Sequence, residues 1–551
     1  MLRTAALAAS LGLAACASVP QTHQVRQSNA YGDFLVGRTA DLRNDYVAAA
    51  DRYFVALTRA PHDHALLNGA LTSALASGDG TRARQAARLA PRDDAPAYAY
   101  LVRAADALVA QNWRQADTAL ASVEGAAAEE LIGRMLVVWV RAADGRIDEV
   151  TLDLAPLASI RPYGALFAYQ QAMALDYAER GDAALGAYAA ADLGGFWLPA
   201  GIERHADLLA RRGARDQAIA LLGADANRAN PALAAALARV ETGASAAAVP
   251  LNAARGAAVG LYGLAAIFLQ ESDSTSGLAA LTLALMLDPD FDGARLAFAQ
   301  AQTTLGHADL ARAALAAVTP DSPYAGSARI MESWALLDAD LPDAALALAR
   351  LNAESGDVRA KRALADMYRN LDRFAEAEPI YAELLAARPE DWRLLFARAV
   401  ARERLGRWPE AEADLQRALA LSPEQPDVLN YLGYSWIDRG VRLQEGLAMI
   451  QRAVALRPTS GAVIDSLGWA YYRLGDYAQA LEYLERAVEL SPADATLNDH
   501  LGDVYWRLGR RIEARFQWRR ALSLAPDAPA LIEAKMATGL PDEPAMRAAE
   551  R

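Results

Sequence analysis

The sequence has very little cysteine and very little lysine. Cys16 is the one cysteine among 551 residues, so neither an intramolecular disulfide nor a zinc site built from cysteines can form. Only two of the 55 basic residues are lysine, Lys361 and Lys535, and the others are arginine. Together with abundant alanine, this balance indicates the coding bias of a GC-rich genome more than a dedicated arginine surface.

Positive net charge and catalytic motifs are also absent. The formal charge of −13 disfavours general binding to nucleic acid or to an anionic membrane surface. The sequence contains no G-x-S-x-G, no H-E-x-x-H and no phosphate-binding G-x-x-x-x-G-K-[ST]. His62 and His64 flank Asp63 directly after Pro61, which is more typical of a solvated turn than of a metal site. We therefore predict that the protein is not an enzyme and has no cofactor, no metal and no nucleic-acid partner.

The N-terminus has the pattern of a secretory signal. Arg3 precedes a small, uncharged stretch that is too short to span a bilayer, which needs about 20 apolar residues. Residues 13–16, Leu-Ala-Ala-Cys, resemble a bacterial lipobox, and this resemblance implies a signal peptide at 1–15, lipidation of Cys16 and a lipidated tether at 16–29. Ala17 is not the aspartate that retains lipoproteins at the inner membrane, so we expect anchoring at the periplasmic face of the bacterial outer membrane. Two alternatives stay open, a soluble periplasmic protein and a cytoplasmic one.

From residue 30 onward the sequence predicts pairs of helices. Apolar residues recur at i, i+3 and i+4, and glycine and proline lie between the periodic segments. Residues 30–245 read as degenerate helical repeats, and residues 257–540 as a second, more regular array. The Ala-, Gly- and Ser-rich stretch 242–250 is the candidate boundary between them. Residues 530–538 read as a final capping helix.

One stretch repeats almost without slippage. The prolines at 389, 423, 458, 492 and 526 are separated by 34, 35, 34 and 34 residues. Leu-Gly pairs recur at 432–433, 467–468 and 501–502, each followed three residues later by Trp436, Tyr471 or Tyr505. This pattern resembles the tetratricopeptide repeat. The resemblance implies an all-α fold, an α-solenoid (superhelix) of helix-turn-helix repeats, with regular repeats at 392–526.

The same resemblance implies a binding surface. In this family the first helix of each repeat lines a concave groove that binds protein partners. Carried over position by position, the groove candidates are Asn430, Tyr434, Asp438, Asp465, Trp469, Tyr472, Arg473, Asp499, Asp503, Trp506 and Arg507. Aromatic residues beside polar ones are typical of interaction hot spots. The alternative is that Trp469 and Trp506 only contact the adjacent repeat.

A lipobox followed by a long repeat array resembles bacterial lipoproteins that act as adaptors of carboxyl-terminal processing proteases. Residues 429–440 and 465–469 carry that likeness most clearly. It implies a periplasm-facing scaffold that binds protein partners, among them a periplasmic protease. Two other functions remain open, a structural assembly factor for envelope or polysaccharide-export machinery, and a cytoplasmic repeat scaffold.

Overall fold

The computed structural model describes residues 30–154, 157 and 160–541, which form 31 α-helices and no β-strand. The predicted all-α fold is thereby confirmed. The predicted signal peptide, Cys16 and the tether at 16–29 lie outside the described residues. The chain divides into two compact units, unit 1 (1–340) and unit 2 (341–551). The candidate boundary at 242–250 lies inside unit 1.

Unit 1 consists of nineteen helices in its described part. They are α1 (Ala30–Asp41), α2 (Tyr46–Leu57), α3 (His64–Ala76), α4 (Gly80–Leu89), α5 (Ala97–Val109), α6 (Trp113–Leu120), α7 (Ala127–Ala143), α8 (Ile147–Leu154), α9 (Gly164–Tyr177), α10 (Gly181–Leu193), α11 (Pro199–Arg211), α12 (Arg215–Leu222), α13 (Asp225–Arg228), α14 (Pro231–Glu241), α15 (Ala253–Gln270), α16 (Ser274–Leu287), α17 (Asp292–Thr304), α18 (Ala308–Ala316) and α19 (Ala325–Asp338).

Consecutive helices of unit 1 pair as hairpins, and the first helices of successive hairpins also touch. Thus α3 pairs with α4 and α5 with α6, while α3 contacts α5, α5 contacts α7, and α7 contacts α9. Aspartates fix where several of these helices begin. Asp63 accepts a hydrogen bond from the Leu66 amide at 3.0 Å, and Asp79 accepts one from the Arg82 amide at 2.9 Å. Each bond satisfies an amide that the helix itself leaves without a partner.

The hairpin of α15 and α16 packs across the first helices of unit 1. It contacts α3, α5, α7 and α9, whose exposed sides would otherwise form a groove. A Cβ on Gly256 would lie 2.2 Å from the Trp139 ring, and the Thr282 hydroxyl donates to the Leu75 carbonyl at 2.7 Å. Although α15 is long and apolar enough to cross a membrane, 67% of it is buried within the protein. The apolar composition of α15 and α16 thus serves the core of unit 1.

The segment between α14 and α15 is a structured loop. Arg204 on α11 donates to the Val249 carbonyl at 2.7 Å, and Asp207 accepts from the Ala247 amide at 3.3 Å. Ser245 also hydrogen-bonds Asp207. These contacts tie residues 245–249 to α11. Residues 242–250 therefore lack apolar periodicity because this loop is held to α11 by polar contacts. The same lack of periodicity is the reason why the sequence pattern predicts a domain boundary here.

Unit 2 consists of twelve helices in its described part. They are α20 (Pro342–Ala353), α21 (Val358–Asn370), α22 (Phe374–Ala387), α23 (Trp392–Arg404), α24 (Trp408–Leu421), α25 (Pro426–Asp438), α26 (Leu443–Leu456), α27 (Gly461–Arg473), α28 (Tyr477–Leu490), α29 (Ala495–Arg507), α30 (Arg511–Ser523) and α31 (Pro529–Thr538).

The regular residues of unit 2 hold each hairpin together. Leu432, Leu467 and Leu501 are buried between the helices. A Cβ on Gly433 would lie 2.7 Å from the Gly446 carbonyl oxygen, so α25 and α26 approach as closely as two backbones can. The turn after α27 uses Gly475 at φ +81, a left-handed conformation that glycine adopts without strain.

The single extra residue in the 34-residue period lengthens one turn. Residues 439–442 connect α25 to α26, whereas three residues connect α23 to α24, α27 to α28 and α29 to α30. Arg442 takes up the extra length at φ +46, and its guanidinium lies 4.9 Å from the centre of the Trp436 ring. The hairpin itself is retained, as the sequence predicts.

Candidate functional site

The groove candidates lie on the first helices of unit 2, on the side we call the first-helix face. On α25, Asn430, Tyr434 and Asp438 follow one another at four-residue spacing and share one side of the helix. Asp465, Trp469 and Arg473 do the same on α27, which also carries Tyr472. The third row, on α29, holds Asp499, Asp503, Trp506 and Arg507. The structure thus places all eleven candidates on neighbouring helices.

Polar contacts join successive rows of this face. Arg473 on α27 pairs with Asp438 on α25, and it also donates to the Asp438 carbonyl at 3.0 Å. The amide of Asn430 donates to the Ser466 hydroxyl at 3.2 Å. Between α29 and α27, Arg507 Nε donates to the Tyr472 hydroxyl at 3.1 Å. Many candidates therefore hold one repeat in register with the next, as well as facing outward.

Trp469 is packed between two rings. Its centroid lies 4.0 Å from that of His500 and 4.6 Å from that of Tyr472, with interplanar angles of 20° and 12°. His500 belongs to α29, so Trp469 contacts the adjacent repeat. Trp469 thus packs against the adjacent repeat while its side chain stays partly exposed.

A histidine–aspartate pair lies beneath Trp469. Nδ1 of His500 is 3.0 Å from both carboxylate oxygens of Asp465, and both residues are largely buried. Burial lowers the pKa of His500, but the charge of Asp465 and its hydrogen bond raise it by more, so the pKa lies above the ordinary value. His500 is not among the residues that the sequence pattern predicts for this face, because it directly follows Asp499, the repeat equivalent of Asp465.

We expect the stability of unit 2 to depend on pH through His500. A histidine whose pKa is higher in the folded state stabilises the fold below its unfolded pKa of about 6.5, and that contribution is lost as pH rises through the folded pKa. Hydrogen exchange of α27 and α29 amides between about pH 5.5 and 8.5 measures this loss. In His500→Gln the pH dependence should shrink. An unchanged profile in that variant would contradict the assignment.

The C-terminal segment covers the last row of the face. Lys535 on α31 contacts Asp499 at 2.7 Å and Asp503 at 2.9 Å. A Cβ on Gly539 would lie 1.7 Å from the Trp506 ring, and Arg507 donates to the Pro541 carbonyl at 2.8 Å. Helix α31 thus occupies the position that the first helix of a further repeat would take. This is the position expected of the capping helix that the sequence predicts at 530–538.

Asp503 is the most enclosed carboxylate of this row. It is 4% exposed, and one of its oxygens accepts a hydrogen bond from Trp518 Nε1 at 2.9 Å. Burial raises its pKa above the ordinary value, although Lys535 acts in the opposite direction. Asp499, Asp503 and Trp506 consequently make contacts within the terminal repeat and its cap, and Arg507 joins the cap to Tyr472 of the preceding repeat.

The accessible part of the first-helix face extends over α23, α25 and α27, and we call it the open face. Within the described part of unit 2, these three helices pack against helices of their own and adjacent hairpins. Phe396, Tyr434 and Trp469 are partly exposed aromatic groups of this face, and Arg393, Arg404 and Asp438 are exposed on the same helices. Burial, with the nearby charges of Asp438 and Asp465, raises the pKa of Tyr434 to about 12. The phenol therefore stays protonated and can donate a hydrogen bond at neutral pH.

The first-helix faces of the two units differ in what covers them. In unit 1 the α15–α16 hairpin lies on α3, α5, α7 and α9. In unit 2 the α31 segment covers only α29 of the first helices, so the open face on α23, α25 and α27 stays uncovered among the described residues. Among the described residues there is no group of three or more His, Cys, Asp and Glu side chains placed to hold a metal ion.

Comparison with protein families agrees with the geometry of unit 2. Tetratricopeptide repeat models match residues 362–426, 396–461 and 495–528, and a TPR repeat model matches residues 468–509. The chain therefore carries tetratricopeptide repeats between residues 362 and 528. Such repeats are in general scaffolds for protein–protein interaction and are not typically catalytic. A search of curated protein sequences finds no match to this chain.

Solved repeat proteins resemble the chain at the level of the fold. A tetratricopeptide repeat protein from Parabacteroides merdae is 17% identical, with 44% of this chain and 96% of that one covered and a TM-score of 0.38. The APC/C hetero-tetramer Cut9–Hcn1 is 14% identical, with 93% and 97% covered and a TM-score of 0.41. YrrB, described as a TPR protein with an unusual peptide-binding site, is 19% identical, with 34% and 95% covered and a TM-score of 0.26.

Proposed function

We propose that this repeat protein is a non-enzymatic scaffold that binds a protein partner on the open face of unit 2. The observation that carries the proposal is the difference between the two first-helix faces. The face of unit 1 is covered by the chain's own α15–α16 hairpin, while α23, α25 and α27 keep partly exposed aromatic groups among charged ones. Aromatic and arginine side chains together are enriched at interaction hot spots.

The groups of the open face favour an extended or helical protein segment as its ligand. Tyr434 offers a ring and a hydroxyl donor, while Asp438 and the arginines at 393 and 404 supply charges of both signs. These groups lie on rigid helices, so little conformational entropy is lost when a partner binds. Trp469 and Arg473 support this surface from α27 by their contacts with His500 and Asp438.

We further propose that the scaffold is lipidated at Cys16 and held at the periplasmic face of the outer membrane. The support is the lipobox-like sequence before the chain's one cysteine. Two acyl signals or more anchor a protein stably, because each buried CH₂ contributes about 0.8 kcal/mol. Cys16→Ser should move the protein from the membrane to the soluble fraction and remove the lipid mass. Unchanged fractionation of the variant would rule out the anchor.

Substitution on the open face tests the binding proposal. The double variant Phe396→Ala with Tyr434→Ala should weaken partner binding by about tenfold or more, because truncating a hot-spot aromatic typically costs more than about 1 kcal/mol. Arg417 is exposed on α24, on the second helix of its hairpin, so Arg417→Ala is the matched control. Circular dichroism should show the same helix content in all variants. Equal affinity of the double variant and the control would contradict the open face as the binding surface.

A photo-crosslinker separates the possible partners. A benzophenone amino acid at position 434, with position 417 as control, is expected to capture the partner in the bacterial envelope. A carboxyl-terminal processing protease among the crosslinked products would support the adaptor role. Residues 429–440 and 465–469 carry the resemblance to such adaptors. Envelope or export machinery captured in its place supports an assembly factor. Products that are the same at positions 434 and 417 would count against both roles.

A further inference from the structure

Unit 1 contains a partly open cavity of about 440 Å³ next to the loop that precedes α15. Its walls come from α11, α14, α15, α17 and the segment before α19, so residues far apart in sequence meet there. A volume of this size is typical of small-molecule sites. The groups that decide its chemistry are Arg204, Arg239, Arg255, Arg295, Tyr262 and Tyr324.

Three of these four arginines have a carboxylate partner. Arg239 pairs with Glu203 at 2.9 Å, Arg255 with Asp288 at 3.1 Å, and Arg295 with Asp292 at 3.3 Å. Their positive charge is neutralised within the protein. They therefore shape the wall of the cavity without leaving a net charge for a ligand.

Arg204 differs from the other three. It is 4% exposed, and its guanidinium donates one hydrogen bond, to the Val249 carbonyl at 2.7 Å. Among the residues that the structure describes, no carboxylate lies within ion-pair distance of it. Burial lowers its pKa, and the more distant charge of Glu203 offsets this only in part. A guanidinium has five N–H donors and Arg204 uses one of them within the protein, so the others are left for a bound anion, which would stabilise the charge.

Aromatic groups line the cavity beside Arg204. The rings of Tyr262 and Phe291 meet edge to face at 5.3 Å, and Tyr324 lies on the same wall. Four carboxylates also line the cavity: Glu203 and Asp292, which pair with Arg239 and Arg295, and Asp290 and Asp321, which disfavour a ligand with several negative charges. One guanidinium fork matches one carboxylate. The site thus combines an apolar wall with a receptor for a single negative charge.

We propose that this cavity binds the carboxylate of a small organic ligand through the guanidinium of Arg204. The carboxylate would accept paired hydrogen bonds from the fork, while Tyr262 and Phe291 contact the apolar part of the ligand. The source of the carboxylate is a free organic acid or the C-terminus of a peptide. This site is separate from the open face of unit 2 and does not depend on the scaffold proposal.

Thermal unfolding and calorimetry of the full chain test the proposal with simple probes. Phenylacetate should raise the melting temperature in a concentration-dependent way, whereas phenylacetamide, which has the same ring and no charge, should not. Gly-Gly-Phe with a free C-terminus, compared with its amidated form, distinguishes a peptide terminus from a free acid. Inorganic phosphate is the control for unspecific anion binding. A melting temperature that responds to phosphate but to none of the carboxylates would overturn the proposal.

Variants of Arg204 complete the test. Arg204→Met should lower the affinity for the binding carboxylate by more than about tenfold. Arg204→Lys keeps a charge but loses the fork, so it should bind with intermediate affinity. Arg88 is exposed on α4 and away from the cavity, and Arg88→Met should bind like the wild type. If Arg204→Met does not fold, Arg204→Lys decides. Wild-type affinity in either folded Arg204 variant would overturn the proposal.

Discussion

Trp139→Ala should destabilise unit 1 by about 3–5 kcal/mol, the usual cost of deleting a fully buried tryptophan. Trp139 on α7 has no exposed surface, and its indole N–H donates to Gln170 Oε1 at 2.7 Å. The ring also separates α7 from α15 at Gly256, where a Cβ would lie 2.2 Å from it. Its loss would therefore open the contact through which the α15–α16 hairpin covers the first helices. Hydrogen exchange of α7 and α15 amides measures the effect in unit 1 alone.

A second substitution at Gly256 tests whether that contact is direct. Gly256→Ala alone should cost about 1–3 kcal/mol, because the rigid ring must move. In the Trp139→Ala background the added methyl group enters empty space, so Gly256→Ala should cost almost nothing. Trp197→Ala is the control, since that side chain is 49% exposed and makes one hydrogen bond, to Asn227. Additive effects of the Trp139 and Gly256 substitutions would contradict the predicted packing.

Lys535→Met should release α31 from the last repeat at a cost of about 3 kcal/mol. The substitution leaves Asp499 and Asp503 without the ammonium that lies 2.7 and 2.9 Å from them, and an uncompensated buried charge is strongly destabilising. Because burial raises the pKa of Asp503, the folded state takes up a proton more readily than the unfolded state. The variant should therefore regain stability as pH falls through that folded pKa. Hydrogen exchange of α29 and α31 between about pH 4 and 8 follows both effects.

The other lysine of the chain is a natural control. Lys361 pairs with Glu383, and both side chains are substantially exposed. Lys361→Met should cost less than about 1 kcal/mol and leave the pH profile unchanged, because exposed ion pairs contribute little. If both lysine variants lost the same stability, Lys535 would not be the group that fastens the cap.

Much of the fold of unit 2 follows from local sequence. The prolines spaced 34 or 35 residues apart predict where second helices end, and the Leu-Gly pairs predict where two helices meet closely. In the structure, α25 packs closely against α26 at Gly433. The one residue by which this repeat exceeds 34 lies in the turn that contains Arg442. These are short-range constraints of backbone geometry and helix contact, which is why single residues reveal them.

The candidate site is less visible in the sequence. Counting repeat positions places the eleven residues on one face, and Tyr434 and Trp469 both stay partly exposed there. It does not show that Trp469 stacks between His500 and Tyr472. The surroundings of a groove residue depend on which side chain the next repeat or the cap supplies. His500 contacts Asp465 in the row on α27, and Lys535 contacts Asp499 in the row on α29. Neither His500 nor Lys535 belongs to the repeat's regular pattern.

The sequence by itself determined that the chain is built of helical hairpins, where most of them begin and turn, and which side of each first helix could bind. Only the tertiary structure decided which of those sides is occupied. Thr282 on α16 meets the carbonyl of Leu75, more than two hundred residues earlier, and Arg204 faces a cavity built from four helices and a loop. Periodicity records that a side chain is buried or apolar, but not which distant element covers it. The filled face of unit 1, the open face of unit 2 and the cavity at Arg204 are therefore properties of long-range packing.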